Sequence, residues 1–158
     1  MGLNEFHLLK KLLDENGVEY TVHEHDPVYT SEQAAKVRGV ELKTGVKALV
    51  LKTSNGEFIL ALVAADRKID LERLAKIVGV KKLKLASPNE VLEKTGCEVG
   101  SVHPFGNLYG LQTYLDRSVL ENKWVNFNAG LHTVSIHMRS EDMLRLIKPK
   151  LGDFSKGR

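Results

Sequence analysis

Val46-Lys47-Ala48-Leu49-Val50-Leu51-Lys52-Thr53, Ser54-Asn55-Gly56 and Glu57-Phe58-Ile59-Leu60-Ala61-Leu62-Val63-Ala64-Ala65 form the passage of this 158-residue chain that speaks most clearly about its fold. Two aliphatic runs flank an Asn-Gly pair, and that pair supplies the positive φ angles of a tight hairpin turn. The runs therefore read as paired antiparallel strands. Alternation places Lys47, Leu49 and Leu51 on one face of the first strand, and Val46, Ala48 and Val50 on the other. Both faces are otherwise apolar, as expected of a strand inside a sheet covered on two sides. A lysine there must snorkel to water, find a partner, or line a pocket.

The elements around this hairpin follow from their start and stop signals. Asn4 to Asn16 carries Phe6, Leu9, Leu12 and Leu13 on one helical face, with Asn4 as cap and Gly17 as stop. Val18 to His23 alternates like a strand. Thr30-Ser31-Glu32-Gln33 has the form of a capping box and opens a short helix that ends at Gly39. Asp70 caps a helix bearing Leu71, Leu74, Ile77 and Val78, closed by Gly79. Lys82 to Ala86 reads as a strand, and Ser87-Pro88-Asn89-Glu90 as a second capping box with proline in the first turn. From Gly96 to Gly110 glycines and Pro104 mark an irregular stretch. Short strands are expected at Leu111–Leu115, Trp124–Asn128 and Thr133–Met138, and a last helix, capped by Ser140, runs to about Ile147. Residues 1–150 read as one domain and 151–158 as a polar C-terminal tail. Helices and strands mix without a strict βαβ rhythm. The expected fold is thus α/β, a single compact domain with a mixed barrel-like β-sheet surrounded by helices.

Composition sets outer limits. A hydrophobic share of 42% and a charged share of 27% suit a folded domain that buries its own core. No apolar run nears the roughly 20 residues that cross a bilayer. The N-terminal helix contains acids and lacks the regions of a signal peptide. A cytoplasmic location with no membrane partner is expected. A single cysteine, Cys97, excludes an internal disulfide and suits a reducing compartment. Net charge is only +3, but it is unevenly spread. Seven basic residues stand against two acids between Arg67 and Lys84. Lys81, Lys82 and Lys84 close that stretch. Such a patch attracts a phosphate backbone, and lysines that merely solvate a helix face are the plainer alternative.

Three further features could carry chemistry. In Gly100-Ser101-Val102-His103-Pro104-Phe105-Gly106, the flanking glycines let backbone N–H groups approach a ligand and Pro104 stiffens the loop, though ordinary turns share this composition. In Asn126-Phe127-Asn128-Ala129-Gly130-Leu131-His132, a turn of small residues after a strand either presents polar groups to a pocket or is a plain turn with a surface histidine. Asp116 either pairs with a cation in a site or caps the short helix at Ser118–Glu121. No histidine or cysteine falls in a recognised metal-ligand spacing, and no nucleotide fingerprint occurs, so neither a metal nor a cofactor is expected.

Taken in order, Thr30-Ser31-Glu32-Gln33-Ala34-Ala35, Gly45-Val46-Lys47-Ala48-Leu49-Val50, the Gly100–Gly106 loop, Tyr114-Leu115-Asp116-Arg117-Ser118 and Asn128-Ala129-Gly130 resemble the YbaK/aminoacyl-tRNA synthetase-associated domain family. That family includes the editing domain inserted in bacterial prolyl-tRNA synthetases, and the resemblance spans roughly residues 20 to 147. It implies a free-standing deacylase that hydrolyses the ester of mischarged aminoacyl-tRNA, with alanine on proline tRNA as the first substrate and cysteine next. It also implies partners: the aminoacyl-tRNA 3′ end, an aminoacyl-tRNA synthetase, and at most a weak homodimer of a chain otherwise monomeric. Lys47 matches the lysine on which family activity depends, and Gly130 and His132 stand with it as catalytic candidates. Thr30, Gly100, Ser101, Val102, His103, Pro104, Phe105, Gly106, Asp116, Asn128 and Ala129 are the implied substrate-binding set; Lys81, Lys82 and Lys84, from the basic stretch, are the tRNA-binding candidates. The resemblance further implies chemistry without metal, using the tRNA's own ribose hydroxyl. Ser101 and His103 occupy variable places in the family loop. A non-catalytic module that binds aminoacyl-tRNA or a synthetase, and a small-molecule amino-acid binder, remain the alternatives.

Overall fold

Strands β2 (Val46–Thr53) and β3 (Phe58–Ala64) pair antiparallel, with Lys47 opposite Val63 and Lys52 opposite Phe58. The turn between them differs from the expected pair of positive φ angles at Asn55 and Gly56. Gly56 alone takes a positive φ, 84°, and the Thr53 hydroxyl accepts from the N–H groups of Asn55 and Glu57 at 3.2 and 3.1 Å. A threonine ending the strand thus lengthens the turn by satisfying its inner donors.

This computed structural model describes residues 2–157. The chain begins with α1 (Leu3–Glu15), β1 (Tyr20–Glu24) and α2 (Ser31–Arg38). After the hairpin come β4 (Lys68–Ile69), α3 (Leu71–Val78), β5 (Leu83–Leu85), α4 (Pro88–Thr95) and β6 (Gln112–Asp116). The last third holds β7 (Trp124–Leu131), β8 (Val134–Arg139), α5 (Ser140–Ile147), β9 (Lys150–Gly152) and β10 (Ser155–Lys156). Side-chain caps form as expected at Thr30, Asp70 and Ser87, the last with its full reciprocal box. Two expected caps do not form. Asn4 lies inside α1, with Gly2 at the cap position. Ser140 is the other. It lies inside α5, and its hydroxyl donates to the Asn122 carbonyl at 2.6 Å, tying the helix to the segment before β7.

The fold is a single α/β domain with a mixed sheet and surrounding helices. Five strands run in the order β5-β2-β3-β6-β9, antiparallel from β5 to β3 and parallel from β3 to β9; three more form the antiparallel sheet β1-β8-β7. A parallel bridge between Gly45 and Asn126 joins the two sheets. β3 is central and alternates between two cores. Leu60 and Leu62 point to the larger one, with Val125, Phe127, Ile136 and Met138 from the second sheet. Ile59 and Ala61 point to a smaller core with Leu74, Tyr114 and Phe154. Truncating a side chain such as fully buried Leu62 would cost about 2–5 kcal/mol.

Residues 151–158 were expected to form a polar tail, and the described part of that segment is folded. β9 extends the main sheet beside β6, β10 pairs with β4, and Phe154 between them is fully buried. One aromatic residue among polar neighbours supplies the anchor. A second difference lies in β7, which continues through Ala129 and Gly130 with a register irregularity between Asn128 and Leu131. Gly130, with φ 94°, absorbs that bulge, so the turn comes only at His132 and Thr133.

Candidate active site

A cleft of about 140 Å3 opens where the two sheets touch. Its walls are the first half of β2, α2 with the two residues before it, the loop at Gly100 and the polar residues of β7. Lys47, Arg38, Thr30, Ser31, Asn126 and Asn128 give it polar groups, while Ala34, Ala48 and Leu49 supply apolar wall.

Lys47 resolves the choice left by its strand position: it both lines the cleft and has a partner. The half-buried side chain donates from Nζ to the Arg67 carbonyl at 2.5 Å. That carbonyl is held in turn, because Arg67 Nε donates to Ser155 Oγ at 2.7 Å.

The most connected side chain in the cleft is Arg38, a residue the motif reading passed over. Its Nε donates to Ser135 Oγ at 2.7 Å, its Nη1 to Asn126 Oδ1 at 2.9 Å, and its Nη2 to Asn128 Oδ1 at 2.7 Å. The two asparagines carry the network onward, Asn126 Nδ2 to Thr44 Oγ1 at 2.8 Å and Asn128 Nδ2 to the Gly100 carbonyl at 2.5 Å. On the far side of Ser135, His25 Nε2 lies 2.7 Å from Oγ and Nδ1 lies 2.8 Å from the Asp26 carbonyl. A carbonyl only accepts, so Nδ1 carries a proton; in the neutral ring Nε2 accepts from Ser135. Burial pulls the Arg38 guanidinium down to about 10, still protonated at neutral pH. The signal for it was an arginine one turn after Ala34, on the inward face of a short amphipathic helix.

The substrate-binding set divides. Thr30, Gly100, Val102 and Asn128 reach the cleft. Gly100, with φ 87°, lies against the His132 ring, where an added Cβ would stand 3.4 Å from Cε1. Ser101 turns inward and donates to the Glu98 carbonyl at 2.8 Å. His103, Pro104, Phe105 and Gly106 are buried and line a different part of the molecule. His103 Nδ1 accepts the Phe105 N–H at 3.1 Å, its ring stacks on Tyr109 at 4.6 Å, and burial pulls it down to about 3, so it stays neutral. Phe105 packs in the larger core and Gly106 closely against Thr113. Apolar surroundings thus draw the second half of this loop into the interior. It anchors the loop there, and only the first half meets the cleft.

Asp116 is a cap, the second of its two sequence readings. Its carboxylate accepts from Ser118 N at 3.1 Å, Phe154 N at 2.7 Å and Ser155 N at 3.0 Å, and it does not line the cleft. Ala129 and Gly130 are buried too. A Cβ on Gly130 would meet the Gly2 carbonyl at 3.1 Å and Cys97 Sγ at 3.6 Å, which places this residue against α1 and not in the cleft. His132 stands just outside. Its Nδ1 lies 3.1 Å from the Val28 carbonyl, its Nε2 3.6 Å from Glu98, and its ring 4.7 Å from that of Tyr29. Lys81, Lys82 and Lys84 are exposed near the far end of β2. Lys84 pairs with Lys52, five residues beyond Lys47, or about 17 Å along the strand. Among the described residues no group of three or more His, Cys, Asp or Glu is placed to hold a metal ion, and no helix is long and apolar enough to cross a membrane.

The fold and cleft together define an α/β domain with a small polar cleft beside a lysine held by a main-chain carbonyl. Comparison with known proteins places it further. Residues 25–146 match the aminoacyl-tRNA editing domain. The multifunctional Ser/Thr-tRNA deacylase ProXp-y of Escherichia coli (strain K12) is 37% identical over 149 residues, covering 92% of this chain and 89% of that protein. The prolyl-tRNA editing protein ProX of Acetoanaerobium sticklandii is 30% identical over 141 residues, 86% of each. A crystal structure described as a candidate trans-editing enzyme for prolyl tRNA synthetase superposes with a TM-score of 0.85 at 28% identity, over 97% of this chain and 98% of that one. The chain belongs to the aminoacyl-tRNA editing domain family and is classed with its aminoacyl-tRNA deacylases.

Proposed function

We propose that this protein hydrolyses the ester joining a small amino acid to a tRNA 3′ end, with seryl and threonyl esters as preferred substrates and alanine on proline tRNA next. The observation that carries the reading is the cleft where Lys47 and the Arg38–Asn126–Asn128 network face one another. Its volume, about 140 Å3, is that of four or five waters at roughly 30 Å3 each, which suits a short side chain. Its polar wall favours a side chain with a hydroxyl, and the ProXp-y relative named for serine and threonine agrees. The smaller alanine also fits, in keeping with the prolyl-tRNA editing relative.

In the reaction a water oxygen attacks the ester carbonyl, the bond from that carbon to the ribose oxygen breaks, and a proton ends on the ribose oxygen. Free amino acid and intact tRNA leave. Negative charge builds on the former carbonyl oxygen, and a preplaced cation lowers that barrier because it needs no reorganisation. Lys47, fixed by the Arg67 carbonyl, is that cation. Gly100, pinned through its carbonyl by Asn128, shapes the opposite wall. Ordering of the water falls to the neighbouring ribose hydroxyl. The cytosol, where tRNA is charged, is the proposed location, and a synthetase the proposed further partner.

A panel of mischarged tRNAs carrying serine, threonine, alanine or cysteine, assayed with chelator present, tests this. Seryl or threonyl release is expected to exceed alanyl release by roughly tenfold or more, the discrimination that hydrogen bonding to a substrate hydroxyl supports. Lys47→Ala should lower kcat by about 10²–10³-fold with an unchanged melting temperature. Tight binding of every tRNA with no release of amino acid would instead make the protein a binding module.

A further inference from the structure

Resting on the aminoacyl-tRNA reading, we infer that Tyr29 and His132 form a stacking platform for the base of the tRNA's terminal nucleotide, so that His132 positions substrate and does no proton transfer. Tyr29 is 70% exposed, the highest value among the large hydrophobic residues of the described chain, yet it lines the cleft. An aromatic ring bared to water at a pocket rim offers a π face, and single-stranded RNA ends are held by stacking of this kind.

The platform is rigid, as stacking requires. The Tyr29 N–H donates to Gln33 Oε1 at 2.9 Å, locking the residue to the start of α2. Its ring leans on His132 at 4.7 Å with 42° between the planes. His132 is clamped to the same strand of chain twice: its carbonyl accepts the Val28 N–H at 3.1 Å, and its Nδ1 lies 3.1 Å from the Val28 carbonyl. That carbonyl can only accept, so Nδ1 is the protonated nitrogen. Nε2 turns toward Glu98 at 3.6 Å, and the ring does not line the cleft. Neither nitrogen is aimed where a water would attack an ester. The imidazole instead fills the space between Gly100 and Tyr29. A base lying on Tyr29 would have its ribose at the cleft mouth and its ester facing Lys47.

The test compares two esters of the same amino acid. One is an aminoacyl-adenosine, and the other the same ester on methyl riboside, which keeps the neighbouring hydroxyl but has no base. Tyr29→Ala should raise KM for the adenosine ester by roughly 5- to 150-fold, the range for loss of one base–aromatic stack. Its kcat, its melting temperature and its kcat/KM for the base-free riboside ester should stay at wild-type values. Tyr29→Trp should restore KM. His132→Phe keeps the supporting ring and should keep kcat, whereas His132→Ala should follow Tyr29→Ala. An unchanged KM in Tyr29→Ala, an equal loss on both esters, or a collapse of kcat in His132→Phe would each overturn the platform. Calorimetry with a non-hydrolysable seryl-amide analogue of aminoacyl-adenosine separates this from the deacylase reading. If wild type binds it and Tyr29→Ala does not, the platform stands even where turnover fails; equal affinities, or no binding by wild type, remove it.

Discussion

The guanidinium of Arg38 reaches three side chains on two strands with one planar fork, and no other side chain has that geometry. Lysine would retain the charge but has a single nitrogen, which cannot meet Ser135, Asn126 and Asn128 together. At least one asparagine oxygen would then be left without its donor, and a buried acceptor such as Asn126 Oδ1 in that state costs about 1–3 kcal/mol. More to the point, Asn128 would cease to fix the Gly100 carbonyl, and the cleft wall would drift. Arg38→Lys is therefore expected to lower kcat/KM by roughly 10²-fold, the usual result of a misplacement near one ångström. The same variant should still bind tRNA. Kinetics of the variant on its best mischarged tRNA check this, and a value within twofold of wild type would remove Arg38 from the site.

Among the elements, the C-terminal strands β9 and β10 hang on one carboxylate. Burial by itself would raise the Asp116 carboxyl, but hydrogen bonds from Ser118, Ser155 and Phe154 outweigh it and hold the group below the ordinary carboxylate range. A carboxylate depressed in this way adds stability above its unfolded value near 3.9, and the contribution is lost as pH falls through the lower folded value. Asp116→Asn should thus be less stable than wild type at pH 7 by about 1.5–3 kcal/mol, as for hydrogen bonds to a charged group. For a chain of this size that is roughly 3–10 °C in melting temperature. The gap should close as pH is lowered below about 4, and melting curves from pH 7 to 3 would show it. A gap constant over that range would mean that the carboxylate charge is not what holds the strands. Because Ser155 also holds Arg67, and the Arg67 carbonyl holds Lys47, these strands reach the cleft through two hydrogen bonds.

Across the protein, charge and cleft are separated. The cleft sits at one end of β2, and Lys81, Lys82 and Lys84 cluster near the other. An RNA whose 3′ end enters the cleft and whose body follows β2 would pass over them, so these lysines are proposed to touch its phosphates and not its ester. Replacing all three by alanine should weaken tRNA binding and flatten its dependence on salt by about two to three ions. The kcat should not move. Titrations of tRNA at several salt concentrations decide it, since an unchanged slope would place the RNA elsewhere.

Local chemistry was enough to read the elements of this protein, because caps, glycine stops and aliphatic alternation act within a few residues of chain. The hairpin, the four inner helices' limits at Gly39, Gly79 and Gly96 and at Ile147, and the face on which Lys47 lies all follow from such short-range rules. Cleft membership is different in kind. Whether Pro104 or Gly100, Gly130 or Asn128, His132 or Tyr29 lines the cleft depends on which side chain the core draws inward, and that is set by partners up to a hundred residues away along the chain, such as Ser135 for Arg38. The two strands beyond residue 150 escaped notice for the same reason. Their hydrogen bonds are made to β4, β6 and Asp116, which are distant in sequence and adjacent only once the sheet has formed.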